Sequence, residues 1–130
     1  MNQHHRLADV RVLVVDDDPD ILEVMEIAFS SEGATVSTAN TGDDAVTRFT
    51  ADQPELVVLD MMLPKRSGFL VLERIQQDDE PPPVIMVTAN EGRRHRIYAE
   101  SLGVSAYLNK PVPMDLLVET ALELLKNLEQ

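Results

Sequence analysis

Side chains able to do acid, hydroxyl or ammonium chemistry follow apolar runs at Asp16, Asp17, Asp60, Thr88 and Lys110. Asp16 and Asp17 begin an Asp triplet that leaves Val12-Leu13-Val14-Val15 directly. Asp60 ends Leu56-Val57-Val58-Leu59, Thr88 ends Val84-Ile85-Met86-Val87, and Lys110 follows Ala106-Tyr107-Leu108 by way of Asn109. Carboxylates packed together raise one another's pKa and oppose folding unless a cation neutralises them. With oxygen donors and no neighbouring histidine in sequence, Asp16, Asp17 and Asp60 best suit a hard divalent cation, magnesium above all. A carboxylate beside such an ion and an ammonium has the parts of phosphoryl transfer: a nucleophilic oxygen, and cations to bear the charge on the equatorial oxygens. Thr88 adds a hydroxyl that can donate to one of those oxygens. Taken singly, an Asp, Thr or Lys after a strand is usually a cap or a surface residue. Asp18 reads that way, as the cap of a helix opened by Pro19. The ordered set carries the signal.

These residues meet only if the intervening elements form a parallel sheet. The runs at 10–15, 56–59 and 84–87 are almost continuously apolar and β-branched, as strands covered on both faces are. The run 35–39 mixes Val36 and Ala39 with Ser37 and Thr38, which suits an edge, and 106–108 makes a fifth strand. Helical spacing fills the gaps. Ile21, Leu22, Val24, Met25, Ala28 and Phe29 form one stripe between Pro19 and Gly33. Thr41, with Asp44 three residues on, resembles a capping box for a helix that must stop before Pro54. A third helix runs from about Ser67 until Pro81-Pro82-Pro83 breaks it, and a fourth spans roughly Glu91 to Leu102 with Gly103 as its stop. The last begins at Pro113 and repeats Met114, Leu117, Ala121, Leu124 and Leu128. Strand and helix alternate five times, which predicts an α/β fold with a doubly wound parallel sheet. In such a sheet ligands bind outside the carboxyl ends of the strands, where the chemistry-bearing residues stand.

Composition narrows the classes. At 130 residues, 44% hydrophobic and 26% charged, the chain reads as one globular domain, with residues 1–9 as a loose N-terminal tail and 10–130 as the folded unit. His4 and His5 fall in that tail and read as solvated residues, not metal ligands. The absence of cysteine excludes disulfides, thiolate zinc sites and thiol nucleophiles. No apolar run is long enough to span a bilayer, and the start of the chain lacks the apolar stretch of a signal peptide, so a cytoplasmic location and no membrane partner are expected. A net charge of −12 repels phosphate backbones, which argues against direct nucleic-acid binding. Neither a G-x-x-x-x-G-K nor a G-x-G-x-x-G loop occurs, so a bound nucleotide is not supported and the phosphoryl group must come from elsewhere.

Val14-Val15-Asp16-Asp17-Asp18-Pro19, Leu59-Asp60-Met61-Met62-Leu63-Pro64 with Gly68, Val87-Thr88-Ala89 and Lys110-Pro111 together resemble the receiver domain of two-component response regulators. The resemblance covers residues 10–128 and implies a flavodoxin-like sheet of order 2-1-3-4-5 with five helices. It implies that Asp60 is the phosphoacceptor, charged from the phosphohistidine of a sensor histidine kinase or phosphotransfer protein. Asp17 would ligate Mg2+ directly, Asp16 mainly through a water, and the Met62 backbone carbonyl would join them. Lys110 would pair with the acidic cluster and then with the phosphoryl group, next to a cis Lys110–Pro111 bond. Thr88 and Tyr107 would form the switch that remodels the face made by the fourth helix, fifth strand and fifth helix. Through that face the domain would signal to a downstream protein target or form a homodimer. On this reading the chain is no enzyme beyond self-catalysed phosphotransfer and autodephosphorylation.

Some positions stay open. Tyr107 also reads as an ordinary half-buried strand residue, and the run Arg93-Arg94-His95-Arg96 reads equally as a docking face or as a solvated charge run. Phe69, Leu70 and Val71 read as packing. Met62 and Asn90 stand two positions after Asp60 and Thr88, where relatives often carry polar side chains along the path of the hydrolytic water. Met62 cannot orient that water, which implies a long-lived phosphoryl-aspartate. One rival is a haloacid-dehalogenase-type phosphatase using Asp16-Asp17-Asp18 as a D-x-D motif, but no Asp pair follows Lys110, no cap domain fits, and Asp60 is left idle. The other is a pseudo-receiver that binds partners without phosphorylation, against which the intact Asp16, Asp17, Asp60, Thr88 and Lys110 speak.

Overall fold

The computed structural model describes residues 5–89 and 92–128. Strands β1 (Arg11–Val15), β2 (Thr35–Ala39), β3 (Leu56–Asp60), β4 (Val84–Thr88) and β5 (Ala106–Asn109) alternate with helices α1 (Pro19–Ser30), α2 (Gly42–Asp52), α3 (Gly68–Gln76), α4 (Arg93–Ser101) and α5 (Met114–Leu128). The strands form one parallel sheet in the order β2-β1-β3-β4-β5. The most polar strand, β2, lies at an edge, while β3 and β4, buried at every position, lie inside.

Each inner strand faces two ways because successive side chains alternate across a sheet. Val12, Val14, Val58 and Ile85 join Met25 and Phe29 of α1 and Leu117 and Ala121 of α5 in one core layer. Leu13, Val15, Val57, Leu59 and Met86 join Phe49 of α2, Val71 and Ile75 of α3 and Ala99 of α4 in the other. Helices cover both faces, which is why these strands read as apolar runs without alternation.

Local signals set the helix starts. Asp18 caps α1 through bonds from the Asp20 and Ile21 amides at 2.9 and 3.4 Å, with Pro19 at the first position. Thr41 accepts from the Asp44 amide at 3.0 Å to cap α2, and Ser67 accepts from the Leu70 amide at 3.4 Å to cap α3. Gln53, left-handed at φ 47°, ends α2 just ahead of Pro54.

Two expectations change. The stretch before β1 reads as loose in sequence, yet Leu7 is only 1% exposed and joins the α1/α5 core layer. Arg6 holds it there through Glu32 at 2.9 Å and Glu119 at 2.8 Å. An isolated leucine among polar residues carries no periodicity, so its burial is a tertiary effect. Of the apolar stripe on α5, Leu117 and Ala121 are buried but Leu128 is 65% exposed. A 15-residue helix is about 22 Å long and outlasts the strands it covers. His4 and Asn90 lie outside the described residues; His5 is exposed.

Candidate functional site

The order β2-β1-β3 means that the chain leaves β1 in one direction and β3 in the other, which opens a crevice at the carboxyl ends of those two strands. Parallel register delivers Asp16 and Asp60 there, since Val15 pairs with Leu59 and each aspartate comes next. Carboxylate oxygens of Asp16, Asp17 and Asp60 all lie within 4.8 Å of one another. Asp16 and Asp60 are 1% and 5% exposed, whereas Asp17 faces solvent. From the end of β5 Lys110 reaches across, its Nζ 2.7 Å from Asp16 Oδ2 and 3.3 Å from Asp60 Oδ2. The Lys110 amide also donates to the Thr88 carbonyl at 2.8 Å, tying the two strand ends together. The Lys110–Pro111 bond is cis.

Backbone donors complete the carboxylates. Asp16 Oδ1 accepts from the Asp18 amide at 2.9 Å, so the triplet turns on its own first side chain. Asp60 Oδ1 accepts from the Met62 amide at 3.3 Å, while the Met62 side chain is 64% exposed and offers no polar group. Gly68 holds the far side of this loop. Its amide donates to the Met61 carbonyl at 2.8 Å, and a Cβ there would run into the Asp60 carbonyl oxygen.

Burial pushes the Asp60 carboxyl above the ordinary aspartate range; Lys110 opposes this and the Asp16 charge adds to it. Burial alone would lower the Lys110 ammonium, but its contacts with Asp16 and Asp60 outweigh that and raise it. Three carboxylates share one ammonium, so the cluster keeps unneutralised negative charge in a partly dry place. That balance, with hard oxygen donors only, fits a small divalent cation.

Thr88 is fully buried at the end of β4. Its neighbour Val87 pairs with Asp60 across the sheet, and Tyr107, 8% exposed on β5, pairs with Met86. Burial raises the Tyr107 phenol above its ordinary pKa, with Arg96 pulling the other way. The Arg96 guanidinium lies over the Tyr107 ring, 5.8 Å from its centroid, so α4 rests on β5 through this pair. Sequence reasoning grouped Arg96 with its charged neighbours and did not see this contact, because which strand residue a helix covers is set by tertiary packing. An apolar groove of about 570 Å³ opens beside Lys110, between Ile21, Val24 and Met25 of α1 and Pro111, Met114 and Leu117. A second groove, about 660 Å³, lies at the opposite end of the sheet, along Pro54 and Pro81–Pro83, away from the carboxylates.

The chain matches the family model described as the response regulator receiver domain over residues 12–122. The chain belongs to that family. It is 36% identical over 106 residues to the probable transcriptional regulatory protein TcrX of Mycobacterium tuberculosis, covering 82% of this chain and 45% of that protein. To the alkaline phosphatase synthesis transcriptional regulatory protein PhoP of Bacillus subtilis it is 33% identical over 101 residues, 78% of this chain and 42% of that one. The chain thus spans a little under half the length of these curated relatives. Among solved structures, a CheY-like response regulator receiver domain protein of Methanospirillum hungatei superposes with a TM-score of 0.89 at 29% identity, covering 94% of this chain and 98% of the other. Among the described residues, no helix of this receiver domain is long and apolar enough to cross a membrane.

Proposed function

We propose that this receiver domain accepts a phosphoryl group on Asp60 from the phosphohistidine of a sensor histidine kinase or phosphotransfer protein. The observation that carries the reading is the meeting of Asp16, Asp17, Asp60 and Lys110 on one rim of the sheet. A carboxylate oxygen of Asp60 attacks phosphorus as the bond from phosphorus to the imidazole nitrogen breaks, and the bonding electrons return to the imidazole. Asp16, Asp17, Asp60 and the Met62 carbonyl would hold Mg2+, which supplies positive charge to the phosphoryl oxygens when bound. Lys110, already on Asp60, moves its charge onto the transferred group. Burial of Asp60 and Thr88 limits the water that competes with the acyl phosphate. The groove beside Lys110 offers the donor protein an apolar seat next to the acceptor.

Thr88 donates its hydroxyl to a phosphoryl oxygen, and Tyr107 repacks in response. Arg96 on the Tyr107 ring passes that change to α4, so the face of α4, β5 and α5 is where a downstream protein, or a second copy as a homodimer, reads the state. The domain is a signalling switch located in the cytoplasm whose chemistry is confined to its own phosphorylation. With net charge −12 the chain acts by protein contact and not by binding nucleic acid.

Intact mass after incubation with acetyl phosphate and Mg2+ tests the reading. One phosphoryl group is expected on the native chain and none on Asp60→Ala or after chelation of Mg2+. Absence of any gain on the folded native chain would favour a pseudo-receiver. Because Met62 cannot orient a hydrolytic water, the phosphoryl group should persist for many minutes; decay within seconds with Mg2+ present would refute that role.

A further inference from the structure

We propose that the outward face at the start of α4 is a docking surface for an acidic protein segment that also carries an exposed apolar residue. The proposal names the chemistry of the downstream partner and so rests on the receiver reading. The run Arg93-Arg94-His95-Arg96 divides in two. His95 turns inward, its ring parallel to Phe69 within 4° at 6.1 Å, and Arg96 is held by Glu100 at 3.5 Å and by the Tyr107 ring. Arg93 and Arg94 are exposed, and among the described residues neither forms an ion pair.

The other helical arginines show what a solvated charge looks like in this protein. Arg48, Arg74 and Arg96 each meet a carboxylate one turn away, on Asp44, Asp78 and Glu100. One turn beyond Arg93 and Arg94 stand Ile97 and Tyr98 instead, 52% and 47% exposed. Residues four apart share a helix face, so two free cations border two exposed apolar side chains. Nor do the arginines serve the helix. Cations in a first turn oppose the helix dipole, and Gly92 at the cap supplies no side-chain bond. Tyr98 is also braced from behind, its ring edge-on to Phe69 at 4.9 Å, so the face is presented on a rigid support. In a chain of net charge −12 this island of free positive charge attracts acidic groups, and the apolar pair adds an anchor that a nucleic acid backbone would not use. Arg96, three residues on from Arg93, links the face to Tyr107.

The test uses the full chain and a synthetic helical peptide with leucines four residues apart bordered by glutamates, alongside the same peptide with lysines for the glutamates. Amide NMR shifts should concentrate between Arg93 and Ser101 for the glutamate peptide and be absent for the lysine peptide. The double substitution Arg93→Glu/Arg94→Glu should weaken binding at least tenfold, with Asp60 phosphorylation by acetyl phosphate unchanged. Failure of the glutamate peptide to bind, shifts centred elsewhere, or undiminished binding by the double variant would overturn the proposal. Concentration-dependent dimerisation of the native chain that the double variant abolishes would also overturn it, by placing a second copy there. Peptide binding at α4 in a chain that takes up no phosphoryl group would break the receiver reading while leaving the docking face standing.

Discussion

The rim of the sheet and the start of α4 hold opposite charge at opposite depths. On the rim, Asp16 and Asp60 are buried and share the ammonium of Lys110, which ties the two carboxylates together. On α4, Arg93 and Arg94 stand in solvent with apolar neighbours and, among the described residues, no ion pair to a carboxylate. Neither arrangement is what stability alone would select, yet the energies differ. Buried like charges interact through a medium of low polarity, whereas exposed charges are screened over about 8 Å by physiological salt. Removing a rim residue should therefore change folding and chemistry together, and removing an α4 arginine should change partner contacts alone.

Lys110→Ala makes the hardest test of that contrast. It leaves Asp16 and Asp60 buried without a counter-charge and should cost about 3 kcal/mol in urea unfolding, besides suppressing phosphoryl uptake. A loss no larger than that of a surface residue would show that the rim is wetter than its burial implies. The raised Lys110 pKa means that its contribution is fully present below its ordinary pKa, near 10.5, and disappears only as pH rises through the raised value in strongly alkaline solution.

Asp60→Asn should work in the other direction. It removes one of the carboxylates competing for Lys110 and should stabilise the fold by about 1 kcal/mol at neutral pH while abolishing phosphorylation. Because the folded-state pKa of Asp60 is raised, the native state binds more protons than the unfolded chain between the ordinary aspartate value and the raised one. Native stability thus falls as pH rises through that window, and the gap between native and Asp60→Asn closes on acidification. Thermal unfolding at a series of pH values would show a widening gap on acidification if the sign were wrong.

The smallest effects belong to α4. Arg93→Ala or Arg94→Ala should alter stability by less than about 0.5 kcal/mol, on the stabilising side, since each removes a cation from a helix amino terminus. A loss of several times that amount would mean that these arginines hold the fold together and are not free for a partner.

Much of the rim was legible in the sequence because its members sit at strand ends, where an apolar run stops abruptly at a polar or charged residue. Asp16, Asp60, Thr88 and Lys110 each mark such a stop, and a parallel sheet brings all strand ends to one side. The helix caps Asp18 and Thr41, and the start of α3 near Ser67, were equally local. Leu7, the perch of Arg96 on Tyr107 and the clamp of Gly68 against the Asp60 carbonyl were not, because each depends on which surface another element presents. The division of the basic run, with His95 against Phe69, Arg96 over Tyr107 and Arg93 and Arg94 outward, has the same origin: periodicity gives the angles between side chains but not the face that α4 turns to the sheet.

The most direct measurement is to locate the phosphoryl group on the chain. Borohydride reduction of the acetyl phosphate-treated protein converts an aspartyl phosphate to homoserine, and peptide mass spectrometry then reads its position. Homoserine at position 60 alone, dependent on Mg2+, is the result expected. Conversion at Asp16 or Asp17 with Asp60 untouched would contradict the assignment of the acceptor and revive the phosphatase reading of the triplet.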